Sequence, residues 1–117
     1  IVNWYGITDV NDMLAGQGAR SYAVQWVGAG PNREAVAKSV SPLTYVRADV
    51  PPILTIQGDA DPIVPYSHGT RLTEALKKAG AKTDLFTIAA GGHGNFKPAE
   101  RSAAYAKIRE FLKANGL

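Results

Sequence analysis

The sequence predicts an α/β fold in which a three-stranded parallel sheet carries helices on its flanks. Three apolar, strand-like segments, near residues 2–5, 53–57 and 84–89, alternate with helical segments along the chain. Such alternation favours parallel strands joined by right-handed crossovers. The 117 residues amount to one domain at most, because domains average ~150 residues.

The composition excludes several classes of protein. Cysteine is absent, so we expect neither a disulfide framework nor a cysteine-ligated metal. Apolar residues make up 45% of the chain and charged residues 20%, which disfavours disorder. No apolar run approaches the ~18 residues of a membrane span, so no transmembrane segment is expected. The sequence does not indicate a cellular compartment, since a targeting signal would lie upstream of Ile1.

The formal net charge of +3 arises within residues 97–117. That segment contains five basic side chains and two acidic ones, namely Lys97, Arg101, Lys107, Arg109 and Lys113 against Glu100 and Glu110. We interpret this surplus as the solvated outer face of an amphipathic helix, and expect no nucleic-acid partner.

The first fifty residues predict short, irregular elements after the opening strand at 2–5. A short helix is expected to run from a cap at Thr8 or Asp9 to Leu14, and Gly16 and Gly18 then interrupt the pattern. A weak helix is expected over residues 19–27, and its candidate buried residues are Tyr22, Trp26 and Val27. A further helix over 33–39, capped by Asn32, precedes an irregular connector over 43–50.

The second half gives clearer signals. The apolar run at 53–56 is typical of a strand buried on both faces. Ser67 is the predicted cap of a helix that reaches Ala79, and Gly80 stands where a helix-ending glycine belongs. The apolar stripe of this helix comprises Leu72, Ala75, Leu76 and Ala79.

The next strand is predicted over residues 84–89, and the last helix starts near Pro98, which suits a first helical turn. Its apolar stripe comprises Ala104, Ile108, Phe111 and Leu112.

Chemically active side chains follow two of the predicted strands. Asp59 and Asp61 come after the strand at 53–57, and His93 comes after the strand at 84–89. Neighbouring strands lie ~4.8 Å apart, and in parallel sheets ligands sit outside the carboxyl ends of the strands. A carboxylate and an imidazole can therefore meet at this edge, as in the orienting half of a nucleophile–base–acid triad.

Of the two aspartates, Asp61 is the predicted partner of the histidine. It precedes Pro62, which favours an extended conformation at Asp61 itself. Asp59 lies closer to the strand end and suits an Asx-type turn, so we assign it a structural role.

Of the two histidines, His93 is the candidate base. The glycines at 91, 92 and 94 allow the backbone to present an exposed imidazole. Histidine has an unperturbed pKa of ~6.5 and can take up and return a proton near neutral pH. His68 lies in the first turn of a predicted helix, where we expect ordinary solvated surface.

At these residues the sequence resembles the C-terminal half of an α/β-hydrolase. The segment Gln57–Pro65 resembles the acid loop of that superfamily, and Gly92–Phe96 resembles its catalytic-histidine loop. The segments 41–46 and 50–54 resemble the lead-in to its seventh strand, and 5–9 the segment after its sixth. The subgroup is that of bacterial esterases and lipases related to hormone-sensitive lipases and to feruloyl or acetyl-xylan esterases.

The resemblance implies a partial hydrolase domain over residues 1–117. Residues 9–50 would be a variable, cap-like segment, and 51–117 would carry the acid and histidine loops. The Gly-x-Ser-x-Gly elbow of the superfamily is missing, and none of the serines lies on a strand-to-helix turn; these are Ser21, Ser39, Ser41, Ser67 and Ser102. The oxyanion-hole loop is also missing, so we expect an absent N-terminal half to supply both.

The resemblance also assigns chemistry. The parent would cleave carboxylic esters through an acyl-enzyme, with Asp61 and His93 as two triad members and a small-molecule ester as substrate. Ile63 and Val64, beside the acid loop, would line the substrate pocket. No metal and no organic cofactor is implied. A histidine is common in the family where Gln57 stands.

Two alternatives remain open from the sequence. Prolyl-oligopeptidase-type serine peptidases have similar acid and histidine loops, so the parent could be a peptidase. The chain could instead be a non-catalytic α/β binding domain that associates through the exposed edge of the strand at 2–5. Because the sequence begins directly in β-prone residues, we expect Ile1 to mark a cut boundary.

Overall fold

The computed structural model describes residues 1–15 and 19–117. Its strands are β1 (Val2–Trp4), β2 (Ile53–Gly58) and β3 (Thr83–Ile88). They form one sheet in the order β1-β2-β3, and both pairs are parallel. The predicted α/β class with a three-stranded parallel sheet is therefore confirmed.

The helices are α1 (Ser21–Val27), α2 (Arg33–Ser39), α3 (Ser67–Ala79) and α4 (Pro98–Ala114). Two short 3₁₀ turns, Asn11–Met13 and Pro42–Tyr45, complete the regular structure of the described residues. The first turn replaces the helix that was predicted to reach Leu14. The predicted break at Gly16 and Gly18 lies outside the described residues.

The middle strand β2 separates two apolar clusters because its side chains alternate between the faces of the sheet. Leu54 and Ile56 are fully buried on the face that α4 covers. They pack with Ile88 of β3, with Phe96 and with Ala104 of α4. On the other face, Ile53 packs against a cluster formed by Leu72 and Leu76 of α3 and by Ala81, which follows that helix. Helices on both faces explain why β2 reads as a continuous apolar run.

Close packing of α3 on β2 depends on a glycine. A Cβ atom at Gly69 would lie 2.5 Å from Oε1 of Gln57 and 3.3 Å from Cγ2 of Thr55. The absence of a side chain at Gly69 therefore leaves space for the buried side chain of Gln57 between the helix and the strand.

Three local expectations were wrong. Helix α3 already includes Ser67 and is preceded by Tyr66, so Ser67 is not the cap. Within the described residues the side chain of Asn32 makes no capping bond to α2. Trp26 is 61% exposed rather than buried, because the short α1 turns Ala23 to the interior instead.

The expectation that His68 is solvated surface was also wrong, since its residue exposure is only 1%. Its Nδ1 atom accepts the backbone N–H of Thr8 at 3.1 Å and that of Asp9 at 3.3 Å. The Thr8 hydroxyl in turn donates to the His68 carbonyl oxygen at 2.8 Å. His68 therefore fastens the segment after β1 onto α3, a long-range contact that helical periodicity could not reveal.

Burial lowers the pKa of His68 because desolvation disfavours the imidazolium. The carboxylates of Asp12 and Asp9 act in the opposite direction, whereas Arg71 and Arg20 add to the lowering. Arg71 also bridges Asp9 at 2.7 Å and contacts Asp12, which joins the same two segments.

No helix of the described residues is long and apolar enough to cross a membrane.

We predict that the free energy of unfolding of this chain decreases as the pH falls through ~6.5. The unfolded chain then binds a proton at His68 that the folded protein excludes, and above this pH the histidine is neutral in both states. Urea unfolding at about pH 7.5 and about pH 5.5 should show this loss in the wild type, and a smaller loss in His68→Asn.

The asparagine amide oxygen lies near the position of Nδ1 and keeps an acceptor there without titrating. All carboxylates are common to both proteins, so the difference between the two pH dependences isolates His68. Equal dependences would contradict the prediction.

Candidate active site

The candidate site begins where β2 and β3 end side by side. Their register pairs Gly58 with Ile88, the last residue of each strand. Beyond it the ladder continues into the loops, since Asp59 N–H donates to the Ile88 oxygen at 3.2 Å and Ala60 N–H to the Gly91 oxygen at 3.1 Å. The acid loop and the histidine loop are therefore joined backbone to backbone.

Gly58 makes this junction sterically possible. A Cβ atom at this position would overlap the carbonyl group of Gly91 and lie 2.8 Å from the oxygen of Gly92. Since backbone atoms cannot move aside as a flexible side chain can, only glycine fits here.

Asp61 uses its two carboxylate oxygens for different partners. Oδ1 accepts the backbone N–H groups of Ile63 at 2.8 Å and Val64 at 2.9 Å. Oδ2 lies 2.8 Å from Nδ1 of His93, and the Asp61 side chain is fully buried. The two N–H donors fix the carboxylate orientation, so that Oδ2 faces the imidazole.

Asp59 holds the other side of the junction. Its Oδ1 atom accepts the backbone N–H of Ala90 at 2.6 Å. Ala90 has a φ of +53°, a left-handed conformation that non-glycine residues rarely adopt. Asp59 thus stabilises a strained start of the histidine loop, a contact between loops rather than the Asx turn that we expected.

The buried side chain of Gln57 is hydrogen-bonded to the backbone of the acid loop. Its Nε2 atom donates to the carbonyl oxygens of Val64 at 2.9 Å and Pro65 at 3.2 Å. The residue that departs from the family pattern therefore acts on the conformation of the loop and does not touch the imidazole.

His93 is partly open, with 32% of its side chain exposed. It borders a cavity of about 420 Å³, whose wall is mostly aromatic and aliphatic. The lining consists of Trp4, Tyr5, Ile7, Tyr22, Trp26, Ile63, Val64 and His93. Both residues expected beside the acid loop, Ile63 and Val64, therefore lie on this cavity, and Val64 is largely buried.

The aromatic side chains that line this cavity were not predicted from the sequence. Trp4 and Tyr5 lie at the carboxyl end of β1, the same edge that carries the acid and histidine loops, so their position along the strand was the available signal. Tyr22 and Trp26 come from α1, and Arg20, directly before this helix, donates hydrogen bonds to the carbonyl oxygens of Pro62 and Ile63. No sequence pattern predicts this contact between Arg20 and the acid loop.

Within residues 1–15 and 19–117, no group of three or more histidine or acidic side chains is arranged to hold a metal ion.

The fold is of the α/β-hydrolase type, and it carries the acid and histidine loops at one edge of its sheet. The structure of a thermophilic esterase, Est2 from Thermogutta terrifontis with propionate bound, superposes with a TM-score of 0.74 at 27% identity, over 98% of this chain and 42% of that one. A truncated carbohydrate esterase from gut microbiota superposes with a TM-score of 0.73 at 27% identity, over 95% of this chain and 42% of the other.

A match of the sequence to a family model identifies the family of this chain. The BD-FAE family model matches residues 1–76, and the chain belongs to this family. Esterase LipQ from Mycobacterium tuberculosis (strain ATCC 25618 / H37Rv) is 34% identical over 59 residues, which are 50% of this chain and 14% of LipQ. The resemblance to an α/β-hydrolase esterase group is therefore confirmed, and the chain spans less than half the length of these relatives.

We predict that Gly58→Ala destabilises the chain by about 3 kcal/mol or more, because the added methyl group must push the two loops apart. Gly30→Ala is the matched control, since its Cβ would approach only Asn32 Oδ1, at 3.3 Å. It should change stability by less than ~1 kcal/mol. Urea unfolding measures both, and similar losses in the two variants would contradict the proposed close approach.

Proposed function

We propose that this chain supplies the acid and the base of a Ser–His–Asp triad in a carboxylic-ester hydrolase. His93 is the general base and then the general acid, and Asp61 orients it. The serine nucleophile and the oxyanion hole come from sequence that precedes Ile1 in the complete protein. A small-molecule ester is the substrate, and the triad chemistry needs no metal or organic cofactor.

The observation that carries this proposal is the 2.8 Å contact between Asp61 Oδ2 and His93 Nδ1 at the edge of an apolar cavity. A buried carboxylate on Nδ1 keeps the proton there, so Nε2 is left as the basic nitrogen. Esterase relatives support an ester hydrolase as the complete protein.

His93 mediates four proton transfers, two in acylation and two in deacylation. As the serine oxygen attacks the ester carbonyl carbon, His93 Nε2 takes the hydroxyl proton and then passes it to the departing alcohol oxygen. Water then attacks the carbonyl carbon of the acyl-enzyme and gives a proton to Nε2. His93 passes this proton to the serine oxygen as the bond between the acyl group and the serine breaks, which releases the acid and restores the serine hydroxyl. Throughout, the ionised Asp61 stabilises the positive imidazolium without becoming protonated itself.

Residues 9–50 form the cap-like part of this proposal, and 51–117 the part with the two loops. Tyr22 and Trp26 of the cap-like part close one side of the cavity beside His93. The free edge of β1 would pair with the preceding part of the hydrolase sheet, because β1 has a single strand neighbour within the described chain.

In the complete protein, His93→Ala should lower kcat for a nitrophenyl ester by about 10⁶-fold and Asp61→Asn by about 10⁴-fold. The first removes the base, and the second removes the acceptor that fixes its tautomer. Steady-state kinetics of purified variants measure both changes.

Asp59→Asn is the matched control because it lies on the same loop and keeps an acceptor for the Ala90 N–H. It should stay within about threefold of the wild-type kcat, since Asp59 does not contact the imidazole. Wild-type turnover in His93→Ala, or equal losses in Asp59→Asn and Asp61→Asn, would argue against the assigned roles.

The 117-residue chain by itself should not hydrolyse nitrophenyl esters, because an Asp–His pair without nucleophile and oxyanion hole provides little acyl-transfer catalysis. Turnover by the pure chain that His93→Ala abolishes would place the nucleophile within this chain and refute that part of the proposal.

A further inference from the structure

Tyr5, which follows β1, has an unusual backbone conformation. Its φ is +40°, in the left-handed region where a bulky side chain is strained. Its N–H nevertheless donates to the Ile56 oxygen at 2.8 Å, which extends the β1–β2 ladder by one residue. Strain of this kind persists only where the surroundings enforce it, and it concentrates at functional sites.

The conformation directs the Tyr5 ring toward the candidate base. The centroids of the Tyr5 and His93 rings are 4.5 Å apart, and their planes are tilted by 58°. The Tyr5 ring also packs edge-on against Phe96 at 5.8 Å, which belongs to the core beneath the histidine loop. His93 is thus restrained by Asp61 at Nδ1 and by an aromatic ring beside it.

The histidine loop is shaped to accommodate this tyrosine. Gly94 has a φ of +79°, and a Cβ atom there would lie 2.8 Å from the Tyr5 hydroxyl oxygen and 3.1 Å from Cζ. The loop therefore curves around the tyrosine at a position where only glycine leaves enough space. The contact with His93 is made by the ring of Tyr5, whose centroid lies 4.5 Å from that of the imidazole.

We propose that Tyr5 is a positioning residue for the base. Its ring, fixed by the left-handed turn after β1 and seated against Gly94, restricts the imidazole of His93 to the orientation in which Nδ1 donates to Asp61. The inference rests on the proposed function, because an imidazole needs this orientation only if it transfers protons. The residue directly after β1 then contributes to the reaction as well as to the sheet ladder.

The test compares Tyr5→Leu and Tyr5→Met, which remove the ring, with Tyr5→Phe, which keeps it, in the complete protein. The two ring-less variants should lower kcat for a nitrophenyl ester by about 10- to 100-fold, because small misplacements of a catalytic group are costly. Their KM should change by less than about threefold. Tyr5→Phe should recover most of the lost kcat.

Tyr105→Leu is the matched control, since this tyrosine is 54% exposed on α4 and contacts Trp4 rather than His93. Its kcat should match that of the wild type. A ring-less variant that raises only KM would overturn the proposal, because Tyr5 would then merely line the substrate cavity. Loss of kcat in Tyr5→Phe equal to that in Tyr5→Leu would overturn it too, because the hydroxyl would then be the active group.

Failure of both ring-less variants to fold would also overturn the proposal, since Tyr5 would then be a structural residue. His93→Ala separates this inference from the proposed function. If His93→Ala abolishes turnover while Tyr5→Leu does not lower kcat, the positioning role fails and the triad stands. If His93→Ala remains active, the triad itself fails.

Discussion

The close approach of Gly58 to Gly91 is the constraint on which the candidate site depends. Parallel strands β2 and β3 end in register, and the missing side chain at Gly58 lets the two following loops bond backbone to backbone. Asp61 and His93 are 32 residues apart in sequence, and they meet because the backbones of their loops are hydrogen-bonded to each other. The hydrogen bonds of the carboxylate then determine its orientation.

The two histidines of the chain show how local partners assign opposite roles to one residue type. Nδ1 of His68 accepts backbone N–H groups, so a neutral His68 has its proton on Nε2, whereas Nδ1 of His93 faces the Asp61 carboxylate and is the proposed site of its proton. His68 is buried and fastens the segment after β1, while His93 borders the cavity. The tautomers therefore distinguish the structural histidine from the candidate base.

The sequence predicted the parts of this structure that periodicity and turn chemistry control. Strands β2 and β3, helix α3 with its terminal Gly80, and the order of elements follow from local patterns. The burial of His68 and the left-handed conformation of Tyr5 were not predictable, because each residue makes a contact distant in sequence. The exposure of Trp26 was missed because α1 is too short to bury more than Ala23. The meeting of the acid and histidine loops could be anticipated, since parallel neighbours end at one edge.

We propose that Asp61 holds the proton of His93 on Nδ1 even when the 117-residue chain stands alone. The most direct measurement is a ¹H–¹⁵N NMR spectrum of the 117-residue chain with ¹⁵N-labelled histidine, assigned with His68→Asn. A hydrogen-bonded Nδ1–H is expected at His93, and it should be lost in Asp61→Asn and kept in Asp59→Asn. A His93 imidazole with its proton on Nε2, or an Nδ1–H signal unchanged in Asp61→Asn, would contradict it.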